Sequence, residues 1–177
     1  MQAKGRAFKA TFEFIQHKFG DEKLKGFLKS YPEYEGASSF SDIDWYPLEL
    51  FINLSERIDK HFGFGDLSLL FELGEFSASQ AFDTSHKLFK SASPKTIIAN
   101  APSLLSSYYS KGEIEHEYVT DHKVNLTIKK FSSSPYLSKR IAGWLRRCLI
   151  LSNAKTAVVK DTPVNPDSLK FSVEWTV

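Results

Sequence analysis

Ser-Pro-Tyr-Leu-Ser-Lys-Arg-Ile-Ala-Gly-Trp-Leu-Arg-Arg-Cys-Leu-Ile-Leu-Ser-Asn, residues 134–153, reads as one amphipathic helix. Ser134 offers a side-chain oxygen for the N-cap, and the N–H that Pro135 lacks is not missed at the first helical position. Leu137, Ile141, Trp144, Leu145, Cys148 and Leu149 recur at helical spacing and form an apolar face. Lys139, Arg140, Arg146 and Arg147 fall on the other side, where solvent is expected. The segments on either flank, Lys123 to Phe131 and Leu169 to Val177, alternate with period two. A helix between alternating segments predicts the cover of a small antiparallel sheet of three to four strands.

Working outward, the residues up to about 111 are helical in pattern. Phe8, Phe12, Ile15 and Phe19 make the stripe of a first helix that Gly20 ends, and Asp21 is placed to cap a second. A polar loop runs to about Asp44, and Trp45-Tyr46-Pro47 opens a third helix carrying Phe51, Ile52, Ile58 and Phe62. Asp66 caps a fourth, whose stripe of Leu70, Leu73, Gly74, Ser77 and Ala81 is mostly small and predicts close approach of another helix. Ser93-Pro94 starts a further helix that Pro102 should kink or divide. Beyond Gly112 the period changes to two: Glu113 to Val119 pairs with Lys123 to Phe131 as a hairpin, Thr156 to Lys160 is a short strand, and Leu169 to Val177 is the last. The fold class is α+β, one domain over residues 1–177, helical over 1–111 and sheet-containing over 112–177.

Composition narrows the function. A net charge of +2 gives no field that would draw nucleic acid over the whole surface, so no nucleic acid is expected. No apolar run approaches the roughly 20 residues of a membrane span, and the N-terminus lacks a signal-peptide core; a cytoplasmic protein with no membrane span is expected. One cysteine excludes a disulfide framework and a multi-cysteine zinc site. All but Phe131 and Phe171 of the 15 phenylalanines precede residue 90, which predicts a large apolar interior in the first half.

Several short motifs carry a resemblance. Lys4-Gly5-Arg6-Ala7-Phe8, Trp45-Tyr46-Pro47, Ala101-Pro102 followed by Tyr108-Tyr109 and Gly112, and Phe171-Ser172-Val173-Glu174-Trp175 resemble an uncharacterised bacterial family best known from myxobacteria. That family belongs to the superfamily of haem-nitric-oxide/oxygen-binding (H-NOX) domains, 4-vinyl-reductase-type ligand domains and small TRAPP subunits. Tyr136, Ser138 and Arg140 stand at the Y-x-S-x-R spacing that in H-NOX domains grips haem propionates, and two hydroxyls with a guanidinium suit carboxylates. The resemblance also implies an axial histidine on the helix before the sheet, and Pro94 to Tyr109 contains none. The expectation is therefore no cofactor, with haem kept in view only by the resemblance.

Other residues of chemical interest have structural readings. Glu113, Glu115 and Glu117 alternate away from His116, so the hairpin reads as a charged sheet edge and no metal site is expected. Cys148 reads as a buried, unreactive thiol. No nucleophile-elbow, Walker, Rossmann or zincin pattern occurs, so no enzyme is expected. The leading expectation is a non-enzymatic sensory, signalling or ligand-binding domain with an apolar pocket for a small hydrophobic or acyl ligand, Tyr136, Ser138 and Arg140 receiving its acidic end. The alternative is a protein–protein interaction module that assembles through apolar or strand-edge surface, as TRAPP-like subunits do, as a homodimer or with a signalling partner.

Overall fold

The computed structural model describes residues 1–36 and 39–177, with the backbone alone at 163–165. Residues 37 and 38 of the expected polar loop lie outside that description. Strand β1 (Gln2–Lys4) leads into helix α1 (Gly5–Phe19), in which Phe8, Phe12 and Ile15 are buried, and Gly20, at φ +87°, ends it. Helix α2 (Asp21–Ser30) follows at once; Asp21 is its first residue, and no side chain caps it. Trp45–Pro47 does not open a helix. It forms strand β2, which pairs antiparallel with β1, and helix α3 (Leu48–Phe62) begins one residue later. Three-residue strands carry too little alternation to be recognised in a sequence.

Helix α4 (Ser68–Asp83) has Leu67, at φ +66°, in the cap position, while the Asp66 carboxylate accepts the Ser68 N–H at 2.9 Å. Helix α5 (Pro94–Ala99) starts as its sequence predicts, with Ser93 Oγ accepting the Thr96 N–H at 3.2 Å. The division expected at Pro102 falls at Asn100, after which helix α6 (Ala101–Ser106) restarts.

Strands β3 (Glu113–Thr120), β4 (Lys123–Lys129), β5 (Thr156–Asn165) and β6 (Ser168–Thr176) form an antiparallel sheet in the order β3-β4-β6-β5. Helix α7 (Pro135–Leu151) is inserted between β4 and β5, so the α+β class and the inserted helix are as expected. Val124, Leu126 and Ile128 of β4, and Leu169, Phe171, Val173 and Trp175 of β6, are all 2% exposed or less and face the core. Strand β5 is longer than the Thr156–Lys160 candidate because its pairing with β6 continues to Asn165.

Helix α7 departs from its sequence reading on one side. It is not a two-faced cover, because α4 lies against the face away from the sheet and the contact between these helices is the most extensive in the fold. The small residues make this possible. A Cβ on Gly74 would sit 2.1 Å from the Arg140 carbonyl oxygen, and one on Gly143 2.0 Å from that of Phe71. The basic side chains expected in solvent therefore meet protein: Arg146 pairs with Glu75, and Arg147 donates to Ser79 Oγ at 2.9 Å. Arg140 is 5% exposed. Ser134 makes no capping hydrogen bond, and its Oγ is buried without a partner among the described residues. Among the described residues no helix is long and apolar enough to cross a membrane.

Candidate functional site

A cavity of about 600 Å³ lies between the helical half and the sheet. That volume is in the range of sites for small ligands and cofactors. Its inner wall is apolar, made by Ile97, Leu104 and Leu105 of the α5–α6 segment, Leu126, Ile128 and Phe171 of the sheet, and Ile141 and Leu145 of α7. Its outer side, between α1 and α4, carries Arg6, Lys9, Glu13, Gln80 and Asp83. Gln80 donates to the Glu13 carboxylate at 2.6 Å across this gap. The phenylalanines of the first half mostly fill the core: Phe8 stacks on Phe40 and packs against Phe51. Of those before residue 90, only Phe51 lines the cavity among the described residues.

Arg140 is a buried charged group that lines the cavity. Its Nη1 donates to Ser55 Oγ of α3 at 3.0 Å and its Nη2 to Thr11 Oγ1 of α1 at 2.7 Å. Both hydroxyls are turned by their own helices, Ser55 donating to the Phe51 carbonyl and Thr11 to the Ala7 carbonyl. Each therefore gives its proton to a carbonyl and keeps lone pairs for the guanidinium. The guanidinium carbon lies 4.2 Å from the centroid of the Phe51 ring. Two of its five N–H donors are thus engaged. No carboxylate lies within ion-pair distance among the described residues. Burial lowers its pKa to about 10, so it remains cationic at neutral pH.

Tyr136 and Ser138 do not join it. Residues two apart on a helix point about 200° apart, whereas on a strand they share a side. All three residues lie inside α7, so Tyr136 turns to the Glu56 carboxylate of α3 and Ser138 to the sheet, where its Oγ donates to Asp161 at 2.9 Å. Lys139 adds a 2.6 Å bond to the same carboxylate. Arg140 lines the cavity; Tyr136 and Ser138 do not.

Polar groups that sequence reasoning passed over stand nearer. Tyr108 and Tyr109 line the cavity, partly buried, and neither hydroxyl has a hydrogen-bond partner among the described residues. Strand β1 fixes this segment: Lys4 N–H donates to the Tyr108 carbonyl at 2.8 Å, Ser110 N–H to that of Gln2 at 3.0 Å, and Ala3 bridges Tyr109. Burial pushes the Tyr109 phenol up to about 12, with the charge of Arg140 opposing. His86 packs among Phe82, Phe89, Tyr108 and Trp144. Its Nε2 and the Trp144 Nε1–H are both buried without partners among the described residues. Burial, then the charge of Arg6, lowers the imidazole pKa and keeps it neutral. The Tyr108-Tyr109 pair gave the one available signal, two adjacent phenols shortly after a helical segment.

Helices on one side and an antiparallel sheet on the other enclose a cavity with apolar inner walls, an α+β architecture. Solved structures share this fold over nearly their whole length. The Fe(II) unliganded H-NOX protein from K. algicida matches with a TM-score of 0.77 at 17% identity, covering 98% of this chain and 97% of that one. The H-NOX protein from S. oneidensis in the Fe(II)NO ligation state matches with a TM-score of 0.73 at 12% identity, covering 98% and 99%. A protein studied for modulation of haem redox potential through porphyrin distortion matches at 0.74 and 10% identity, covering 97% and 99%. No family model and no curated protein matches the sequence. The chain has the H-NOX fold. These relatives hold iron or porphyrin, and that overturns the expectation of no cofactor, which rested on a missing histidine in one helix.

Proposed function

We propose that this chain is a non-enzymatic sensory domain that holds haem, a flat apolar ligand with acidic side groups, in the cavity between α1, α4, α7 and the sheet. The observation that carries this reading is Arg140: a guanidinium enclosed by protein, lining an apolar chamber, with no carboxylate to neutralise it. A buried unpaired charge costs several kcal/mol, roughly, unless something offsets it, and an acid on the ligand would do so. The lining fits haem in volume, in its apolar inner walls and in a cation for a propionate, and it offers phenol oxygens in place of an axial imidazole. The solved relatives that carry Fe(II) or porphyrin on the same fold support the same class of ligand.

When bound, haem would supply an iron centre able to take a small gas, as the S. oneidensis relative takes nitric oxide. The chain's own residues do the rest. Arg140, oriented by Ser55 and Thr11, meets a propionate through the donors those hydroxyls leave open. Ile97, Leu104, Ile141 and Leu145 exclude water from the ring. The Gln80–Glu13 bond spans the gap through which a ligand enters. The reading takes residues 1–177 as one domain, and its state would pass to a partner protein by contact. Strand β3, at the sheet edge and exposed along most of its length, is the surface available for that.

The test is uptake. The chain is purified from a haem-producing host and its visible absorbance recorded, and the ligand-free protein is then titrated with ferric haem and with its dimethyl ester. Saturation at one equivalent is expected, with the ester bound about 10–100-fold more weakly, the scale of a hydrogen bond to a charged group. In Arg140→Met the two should bind alike. Failure to saturate, or equal affinity of the natural chain for acid and ester, would overturn the assignment.

A further inference from the structure

Among the described residues the cavity lining presents no histidine, cysteine or methionine, and it holds only two oxygen donors of the kind that bind haem iron, Tyr108 and Tyr109. We infer that Tyr109 is the axial ligand of the iron in this chain, an inference that rests on the haem reading above. The four protein groups that hold haem iron from one side are imidazole, thiolate, thioether and phenolate. The nearest imidazole, His86, does not line the cavity, and its Nε2 has no accessible surface where it packs against Tyr108 and Trp144. Cys148 is fully buried within α7, outside the lining.

Tyr109 rather than Tyr108 is chosen by position. The Tyr108 ring edge is committed to Trp144 at 5.7 Å between centroids, and the Arg6 guanidinium lies 5.9 Å from its centroid at the outer side of the chamber. Tyr109 lines the cavity too, held by an edge contact with the Phe131 ring at 5.1 Å and by the main-chain bridge to Ala3. Burial, the larger effect, raises the Tyr109 phenol to about 12, and the Arg140 charge partly offsets it, because a fixed positive charge stabilises an oxygen that has become anionic. The reaction is ligand exchange. The phenol O–H breaks and its proton passes to solvent water; an oxygen lone pair forms the bond to ferric iron; the water that held that position leaves. Iron stays ferric throughout, so no oxidant or reductant is required. Arg140 would thus favour both a propionate and an anionic Tyr109 oxygen.

The experiment uses the full chain loaded with ferric haem, and its readouts are visible absorption, electron paramagnetic resonance and resonance Raman spectra. Expected are a high-spin ferric spectrum and tyrosinate ring modes that disappear in Tyr109→Phe while persisting in Tyr108→Phe and in His86→Ala. Haem affinity of Tyr109→Phe should fall by at least the roughly 10–100-fold that loss of a mere outer partner costs at metal sites. Thermal unfolding of each ligand-free variant checks that it folds. A haem complex whose spectrum survives Tyr109→Phe but is lost in His86→Ala would overturn the tyrosine ligand and leave the haem reading standing. A natural chain that never saturates with haem would overturn both.

Discussion

Gly74 on α4 lies so close against Arg140 on α7 that a Cβ on Gly74 would meet the Arg140 carbonyl oxygen at 2.1 Å. The same few ångströms that bring two helix backbones together also fix where the Arg140 side chain leaves its helix and enters the chamber. Helix packing and the charge of the site are therefore one geometric fact. Gly74→Ala must push α4 from α7, because the obstructing atom is backbone and cannot swing aside. A loss of about 1–3 kcal/mol or more is expected, the range for overpacking a filled core. Gly26, on the exposed face of α2 with nothing within 4 Å of where a Cβ would stand, is the control: Gly26→Ala should stabilise by roughly 0.5–1 kcal/mol. Urea unfolding of the two variants checks both signs, and equal behaviour would refute the close contact.

The hydroxyls around Arg140 make a second prediction. Thr11→Val removes the acceptor of Nη2 while preserving shape, leaving a buried cation with one fewer partner, and should cost about 1–3 kcal/mol. In an Arg140→Met background the same change should cost almost nothing, since there is no cation left to serve. Arg140→Met alone should leave the ligand-free protein as stable as before or more so, because apolar replacement of an unpaired buried charge relieves desolvation. A double-mutant cycle by thermal or urea unfolding gives the coupling; additive effects would show that the guanidinium does not depend on Thr11.

These two results mark what the sequence could and could not disclose. The alternation of Leu169, Phe171, Val173 and Trp175 was legible because every second residue of β6 is buried, and so was the small stripe of α4, because only close packing selects Gly74 there. The direction of Arg140 was not legible. A helix sheltered on two sides places arginine where a one-sided helix would place solvent, and nothing in the residues 134–153 says that a second layer covers them. The Tyr136, Ser138, Arg140 triplet does not come together for a related reason: its spacing converges on extended backbone and diverges on the helix that Pro135 begins. Tyr109 was legible only as part of a resemblance and not as a cavity residue, because its placement depends on β1, three residues that pair with a distant strand and pin the segment after α6.

Acid should weaken the join between α7 and β5. Burial alone would raise the pKa of Asp161, but the hydrogen bonds from Lys139 at 2.6 Å and Ser138 at 2.9 Å, with the charge of Lys139, outweigh it and hold the carboxyl below its usual value. A carboxyl whose folded pKa is depressed contributes stability above its unfolded value, near 3.9, and loses it as pH falls through the lower folded value. Asp161→Asn should therefore cost about 1–3 kcal/mol at pH 7. The gap to the natural chain should close below about pH 4. Denaturant unfolding across pH 3–7 measures this, and a gap independent of pH would sink the claim.

Cys148 is 0% exposed, and burial pushes its thiol well above the ordinary range. Since the thiolate is the reactive form, a small disulfide reagent should not label it in the folded chain at neutral pH, and should label it fully in denaturant. Labelling in native buffer should then proceed only through opening of α7, at a rate that Gly74→Ala raises in step with its loss of stability. Cys148→Ala should itself cost about 1 kcal/mol through the small void it leaves. Rapid labelling of the native protein, unaffected by Gly74→Ala, would place the thiol at an accessible surface and contradict the position of α7 between α4 and the sheet.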